Sequence, residues 1–228
     1  MVDPVPPKQI PFEFDHRPAM GGEDFLVAPS NADAVGWVER WPDWPGPVLV
    51  ISAPRGAGKT HLAHVFQGRN GARVVTVAAL RTRRADGVLV GAPALILDDA
   101  EGFLAAGLEE ELLHLYNLAR EEDVKILMTA ETPPSRWKLK LADLSSRLKT
   151  APVAEISPPD DTLLSALIVK QFTDRQLTVD QDVLTYMLAR MDRSFAAVRD
   201  LIRTVDEQAL AQKRAITIPL VRQVLEDL

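Results

Sequence analysis

The 228 residues, 46% of them apolar and 25% charged, suffice for one sizeable domain or a main domain with a small companion. No cysteine is present, which excludes disulfides and thiolate-bound zinc, and no stretch approaches the ~18 consecutive apolar residues of a membrane-spanning helix. The net charge of −6 argues against broad nucleic-acid affinity, because phosphate neutralisation needs clustered Lys and Arg, while the lack of a spanning run and of cysteine fits a soluble, cytoplasmic protein.

Residues 1–22 hold several of the 17 prolines and no periodic pattern, which predicts an extended tail without a secretory signal. Within it, Gln9-Ile10-Pro11-Phe12-Glu13-Phe14 places three large apolar side chains ahead of any core. This segment reads either as an arm packing on its own domain or as a hook for another protein. Helical spacing follows over 31–41, with Ala34, Trp37, Val38 and Trp41 on one face and Ser30 or Asn31 as the cap. The proline-rich stretch 42–47 then breaks the chain.

Four apolar runs, PVLVIS (47–52), RVVTVAA (73–79), ALILDD (94–99) and VKILMTA (124–130), read as strands buried on both faces, and PVAEI (152–156) as a fifth. Alternating with helical segments, they predict an α/β domain on a largely parallel sheet over 23–157. The Arg81-Thr82-Arg83-Arg84 run reads as a solvated loop. Beyond Ser157-Pro158-Pro159 the segments carry a 3.6-residue apolar period and no strand, with Asp160, Asp180, Ser194 and Thr217 as caps. A helical subdomain is therefore expected over 158–228.

Between the first strand and the next helix lies Ala53-Pro54-Arg55-Gly56-Ala57-Gly58-Lys59-Thr60. It meets the phosphate-loop pattern G-x-x-x-x-G-K-[ST] everywhere except the first position, where Ala53 stands for Gly. In such a loop, glycines at Gly56 and Gly58 let the backbone N–H groups around Arg55 and Ala57 turn onto phosphate oxygens, which a Cβ would obstruct. Lys59 reaches the β and γ phosphates, Thr60 ligates Mg²⁺, and the helix that follows adds a favourable dipole. Asp98, at the end of ALILDD, is placed for the metal shell, and Asp99 to orient a water. His61, His64 and His114 lack ligand spacing and a triad partner, so packing or surface roles are expected of them rather than chemistry.

This order of elements resembles the AAA+ class of P-loop ATPases, in which a small helical lid follows an α/β base. More narrowly, it is similar to the ATPase domain of the bacterial replication initiator DnaA, over about residues 23–228. Phe25-Leu26-Val27-Ala28-Pro29-Ser30-Asn31 resembles that family's segment beside the adenine, which implies nucleotide contacts at Val27 and Asn31. GKTHL at 58–62 matches its loop and helix start, which brings His61 into the same set. The resemblance further implies a sensor I residue at Thr129, an arginine finger at Arg147 and a sensor II arginine at Arg199, with ADP or ATP and Mg²⁺ as cofactors.

The departures narrow the resemblance. No counterpart of the initiator's C-terminal helix-turn-helix domain or long N-terminal region is expected here, where a short tail is read in their place. The pattern is similar to the Hda family of DnaA regulators, which promote hydrolysis of the initiator's ATP. That family carries an N-terminal motif, Gln-x-x-aliphatic-x-Phe/Leu, for the replicative sliding clamp. QIPFEF fits it with Gln9, Phe12 and Phe14 as anchors and Ile10 beside them, Phe12 standing where Leu is usual. The resemblance implies DnaA and the sliding clamp (the beta subunit of DNA polymerase III) as partners. DNA would be reached only through the clamp, the chain's own ATP turnover would be weak or absent, and no membrane would be involved. Head-to-tail self-association stays open. So do two other readings: a self-sufficient ATPase that loads or remodels proteins on DNA, and a nucleotide-gated adaptor with no catalytic effect.

Overall fold

The computed structural model describes residues 26–212 and 214–227. The expected tail, with Gln9, Ile10, Phe12 and Phe14, lies outside the described residues, as does Phe25.

Helix α1 (Ala32–Glu39) buries Ala34, Val35 and Val38, while Trp37 and Trp41 cover the edge of the same cluster half-buried. After the proline-rich break comes β1 (Val48–Ser52), then α2 (Lys59–Asn70). All five residues of β1 are buried, because helices cover both faces of the sheet.

The run 73–79 corrects the expectation. Only β2 (Arg73–Val74) is a strand, and it lies half-exposed at the sheet's edge. From Val77 the chain is helical, because the Thr76 side chain accepts a hydrogen bond from the Ala79 N–H at 3.1 Å and caps α3 (Val77–Leu89). The Arg81–Arg84 run is thus helix rather than loop, broken where Arg84 takes φ 59°. Two of its exposed cations are engaged: Arg81 donates to the Ala106 carbonyl and Arg84 pairs with Glu111.

Next come β3 (Ala94–Leu97), α4 (Ala100–Ala105), α5 (Glu109–Glu121) and β4 (Lys125–Ala130). A 3-10 turn at Pro134–Arg136 leads to α6 (Ala142–Thr150) and β5 (Val153–Glu155). The sheet is five-stranded in the order β2-β3-β4-β1-β5, and every pairing is parallel. Side chains alternate between two cores, as a period of two requires. Val48, Val50, Leu95, Leu97, Ile126 and Met128 meet α3, α5 and α6, whereas Leu49, Ile51, Ile96 and Leu127 meet α1 and α2.

The remaining helices, α7 (Asp161–Asp174), α8 (Gln181–Leu188), α9 (Phe195–Gln212) and α10 (Ile218–Asp227), build a separate core of their own. Leu164, Ile168, Phe172, Met187, Ile202 and Val221 lie within it. Two of the expected caps form: Asp160 accepts from the Leu163 N–H at 2.7 Å, and Ser194 from the Ala197 N–H at 3.0 Å. Asp180 stands at its N-cap position without a side-chain bond. The architecture is an α/β base with a parallel sheet and a small helical lid.

Candidate functional site

Sheet order creates the site. Because β4 lies between β3 and β1, the loop after β1, the acidic end of β3 and Thr129 in β4 emerge side by side at the strands' C-terminal edge. In parallel sheets this edge is where ligands bind.

The loop turns through two left-handed residues, Gly56 at φ 73° and Gly58 at φ 96°. Side-chain-bearing residues rarely adopt that backbone. Ala53 is not among the positive-φ residues, so its methyl group is accommodated without strain. Lys59 folds back, donating from Nζ to the carbonyls of Ala53 at 2.6 Å and Pro54 at 2.9 Å. Burial lowers its pKa, against the pull of Glu131, Glu101, Asp98 and Asp99. The Ala57 methyl packs into the base core, and its N–H reaches the Pro54 carbonyl at 3.3 Å.

Thr60 donates from its hydroxyl to the Asp98 carboxylate, 3.0 Å from Oδ2. A hydroxyl and a carboxylate side by side are an all-oxygen donor pair of the kind Mg²⁺ takes, with phosphate and water completing the shell. The residues therefore fit that ion. Thr129 is fully buried; its hydroxyl donates to Asp98 Oδ1 at 2.5 Å and accepts from the Asp99 N–H at 2.9 Å. Asp98, Asp99, Thr60 and Thr129 are thus one bonded group.

The lid closes the other side. The Phe195 N–H, at the start of α9, donates to the Gly56 carbonyl at 3.0 Å. A Cβ built on Gly58 would lie 3.2 Å from the Phe195 ring, and one on Gly56 would lie 2.9 Å from Ser194 Cβ. Base and lid enclose a cavity of about 750 Å³, a size ordinary for small-molecule sites. Lys59, Thr60, His61 and Asn31 line it from the base, and Gln171, Phe195 and Arg199 from the lid.

The other expected residues fall differently. Leu26 rather than Val27 lines the cavity, while Val27 packs against the α1–α2 core. The Asn31 amide is spent on its own loop, accepting from the Ala28 N–H and donating to the Leu26 carbonyl, both at 2.9 Å. It thereby shapes the approach to the cavity instead of capping α1 through its side chain. Arg55 points outward and pairs with Glu131. Arg147 is not at the cavity. On α6 it donates to both Asp143 oxygens, at 2.9 and 3.0 Å, with its guanidinium 5.5 Å from the Tyr116 ring centre. His64 is exposed on α2, and His114 lies 3.4 Å from Asp86.

Sequence reasoning missed two carboxylates. Glu101 Oε1 accepts from the N–H groups of Glu131 and Thr132, each at 2.9 Å, and so fixes the turn that follows β4. Glu131 is the ion-pair partner of Arg55. Their nearness in sequence to Asp99 and Thr129 is the only local signal that could have marked them.

Residues 160–225 match the family described as "Hda, lid domain". DnaA of Campylobacter curvus is 25% identical over 233 residues, covering 93% of this chain and 53% of that protein. The chain spans about half the length, or less, of the curated relatives it matches. Domain III of the Thermotoga maritima replication initiation protein DnaA superposes with a TM-score of 0.75 at 20% identity, covering 89% of this chain and 94% of that one. A DnaA structure bound to AMPPCP and single-stranded DNA gives 0.66 at 19% identity, covering 83% of this chain and 66% of that one.

Proposed function

We propose that this chain, which is similar to DnaA over most of its length and matches the Hda lid family over residues 160–225, is a negative regulator of chromosomal replication initiation. In this reading it binds ADP or ATP with Mg²⁺, docks on the sliding clamp through Gln9, Ile10, Phe12 and Phe14, and stimulates hydrolysis of the ATP held by DnaA. The observation that carries the reading is the pairing of a lid that matches the Hda family with a half-buried arginine, Arg147, outside the chain's own phosphate site. Such a cation has its use at a neighbour's nucleotide.

The roles follow from the groups present. Leu26 and Asn31 shape the adenine end of the cavity, and His61 lines its wall. The amides around Arg55, Gly56, Ala57 and Gly58 cradle phosphate, and Lys59 exchanges its two loop carbonyls for phosphate oxygens. Thr60 and Asp98 would hold Mg²⁺, which when bound would offset phosphate charge. Asp99, held by its N–H on the Thr129 hydroxyl, orients water at the end of β3, and Arg199 reaches the phosphate chain from the lid. A nucleotide gripped from both sides sets the angle of lid to base, and through it the presentation of Arg147. In complex, Arg147 leaves Asp143 and stabilises the negative charge developing on the γ-phosphate of DnaA's ATP; fingers supplied in trans contribute roughly 10³–10⁵ in rate.

The test is the hydrolysis of DnaA-bound ATP, with and without this chain and DNA-loaded clamp. Stimulation should require both, and Arg147→Ala should remove it while leaving nucleotide binding intact. Unchanged stimulation by Arg147→Ala would sink the finger. A chain that instead turns over its own ATP in response to single-stranded DNA, and leaves DnaA's ATP alone, would be a loader.

A further inference from the structure

The lid wall of the cavity carries a side-chain amide whose direction is fixed. On α7, Leu167, Lys170 and Gln171 are spaced to share one face, and all three line the cavity. Arg175, one turn further on, donates from Nη1 to Gln171 Oε1 at 2.5 Å and to the Gln171 carbonyl at 2.9 Å. Its Nε lies 3.7 Å from Asp206 Oδ2 on α9, so a second helix holds the guanidinium in place. Arginine has donors only, and the atom facing it is therefore the amide oxygen. The Gln171 amide nitrogen has no partner among the described residues and is the half left to serve the cavity.

The other amide on the cavity wall is spent at both ends. Asn31 Oδ1 accepts from the Ala28 N–H and Nδ2 donates to the Leu26 carbonyl. Neither amide oxygen is therefore left to accept from a ligand, and the polar groups of the α7 face, Gln171 Nε2 and Lys170 Nζ, can only donate. Purine bases differ in what they need from such a wall. Adenine presents an acceptor at N1, whereas guanine presents N1–H at the same atom and an amino donor beside it. A donor buried against a donor gives up its hydrogen bond to water and gains none, which is how a polar site rejects a near-isostere.

We propose that Gln171 is a specificity-determining residue for the nucleobase, donating from its amide to N1 of adenine and disfavouring guanine, which meets it donor against donor. Arg175 is the positioning residue: by holding the amide oxygen it keeps the group from turning over. The inference rests on the reading of this cavity as a nucleotide site.

The experiment is calorimetric titration of the full chain with ADP and with GDP, each with Mg²⁺, for wild type, Gln171→Glu and Arg175→Met. Wild type should favour ADP by about tenfold or more, the scale set by one polar group left unpaired. Gln171→Glu nearly keeps the shape and the Arg175 contact but replaces the donors by an acceptor, and should move the ratio toward GDP by about tenfold. Arg175→Met lets the amide turn either way and should bring the ratio toward one. A wild-type ratio near one, or a ratio that Gln171→Glu leaves unmoved, overturns the assignment of Gln171 and leaves the nucleotide site standing. A ratio unmoved by Arg175→Met overturns the part given to Arg175. A wild-type chain that titrates with neither nucleotide overturns the nucleotide site as well.

Discussion

Thr129 joins two functions of one strand end. Its hydroxyl gives its proton to Asp98 and takes the Asp99 N–H, in a position with no exposed surface. Valine has nearly the same shape but satisfies neither group. Thr129→Val should therefore destabilise the protein by about 1–2 kcal/mol, the cost of losing two part-buried hydrogen bonds, one of them to a carboxylate. Urea unfolding measures it, and a midpoint equal to wild type would mean the two aspartates find other partners. At this scale the motif residues Gly56, Gly58, Lys59 and Thr60 were legible, because their spacing is local and their chemistry admits few substitutes. Glu131 was not: its partner Arg55 is 76 residues away, and no pattern announces a pairing at that range. Asn31 shows the reverse case, a residue type read as a helix cap whose amide is consumed by the loop before the helix.

At the scale of elements, buried parallel strands and amphipathic helices announce themselves by period and length. The run 73–79 did not, because its β-branched residues suit a strand while Thr76 offers a helix cap, and an edge strand with one neighbour gains too little pairing to decide otherwise. Caps separate in the same way. Asp160 bonds the Leu163 N–H, whereas Asp180 has the right residue type at the right place and no such bond. Asp160→Ala should cost about 1 kcal/mol, within the ~0.5–2 usual for a lost N-cap, and Asp180→Ala distinctly less. Thermal unfolding of both variants decides it, and equal losses would mean the bond contributes nothing. Ser194 combines both concerns, capping α9 while its Cβ limits what can stand at Gly56.

For the whole molecule, the lid and base meet at the phosphate loop itself, through the Phe195 N–H and the Gly56 carbonyl, so whatever enters the cavity touches both. The proposed route to DNA runs through the N-terminal segment. Burying Ile10, Phe12 and Phe14 on a partner would contribute roughly 5–9 kcal/mol, against about 1–2 kcal/mol for each residue ordered. The terms nearly cancel, which leaves a weak contact that several chains on one ring-shaped clamp would strengthen by avidity. Replacing Gln9, Phe12 and Phe14 by Ala should abolish retention on immobilised clamp, and retention by the triple variant would place the contact elsewhere.

What the sequence determined by itself was local: a phosphate loop after a buried strand, an acidic strand end, and four helices with a common apolar period. These rest on sterics and periodicity within a few residues of one another. The tertiary structure decided which of these parts became neighbours. The strand order placed β4 between β3 and β1, and with it Thr129 against Asp98 and Glu131 against Arg55. The lid's own core then set Phe195 and Arg199 over the loop, and α6 held Arg147 away from it. Such juxtapositions depend on how sheets and helices pack across long separations, and a side chain carries no local mark of a partner it meets only after folding.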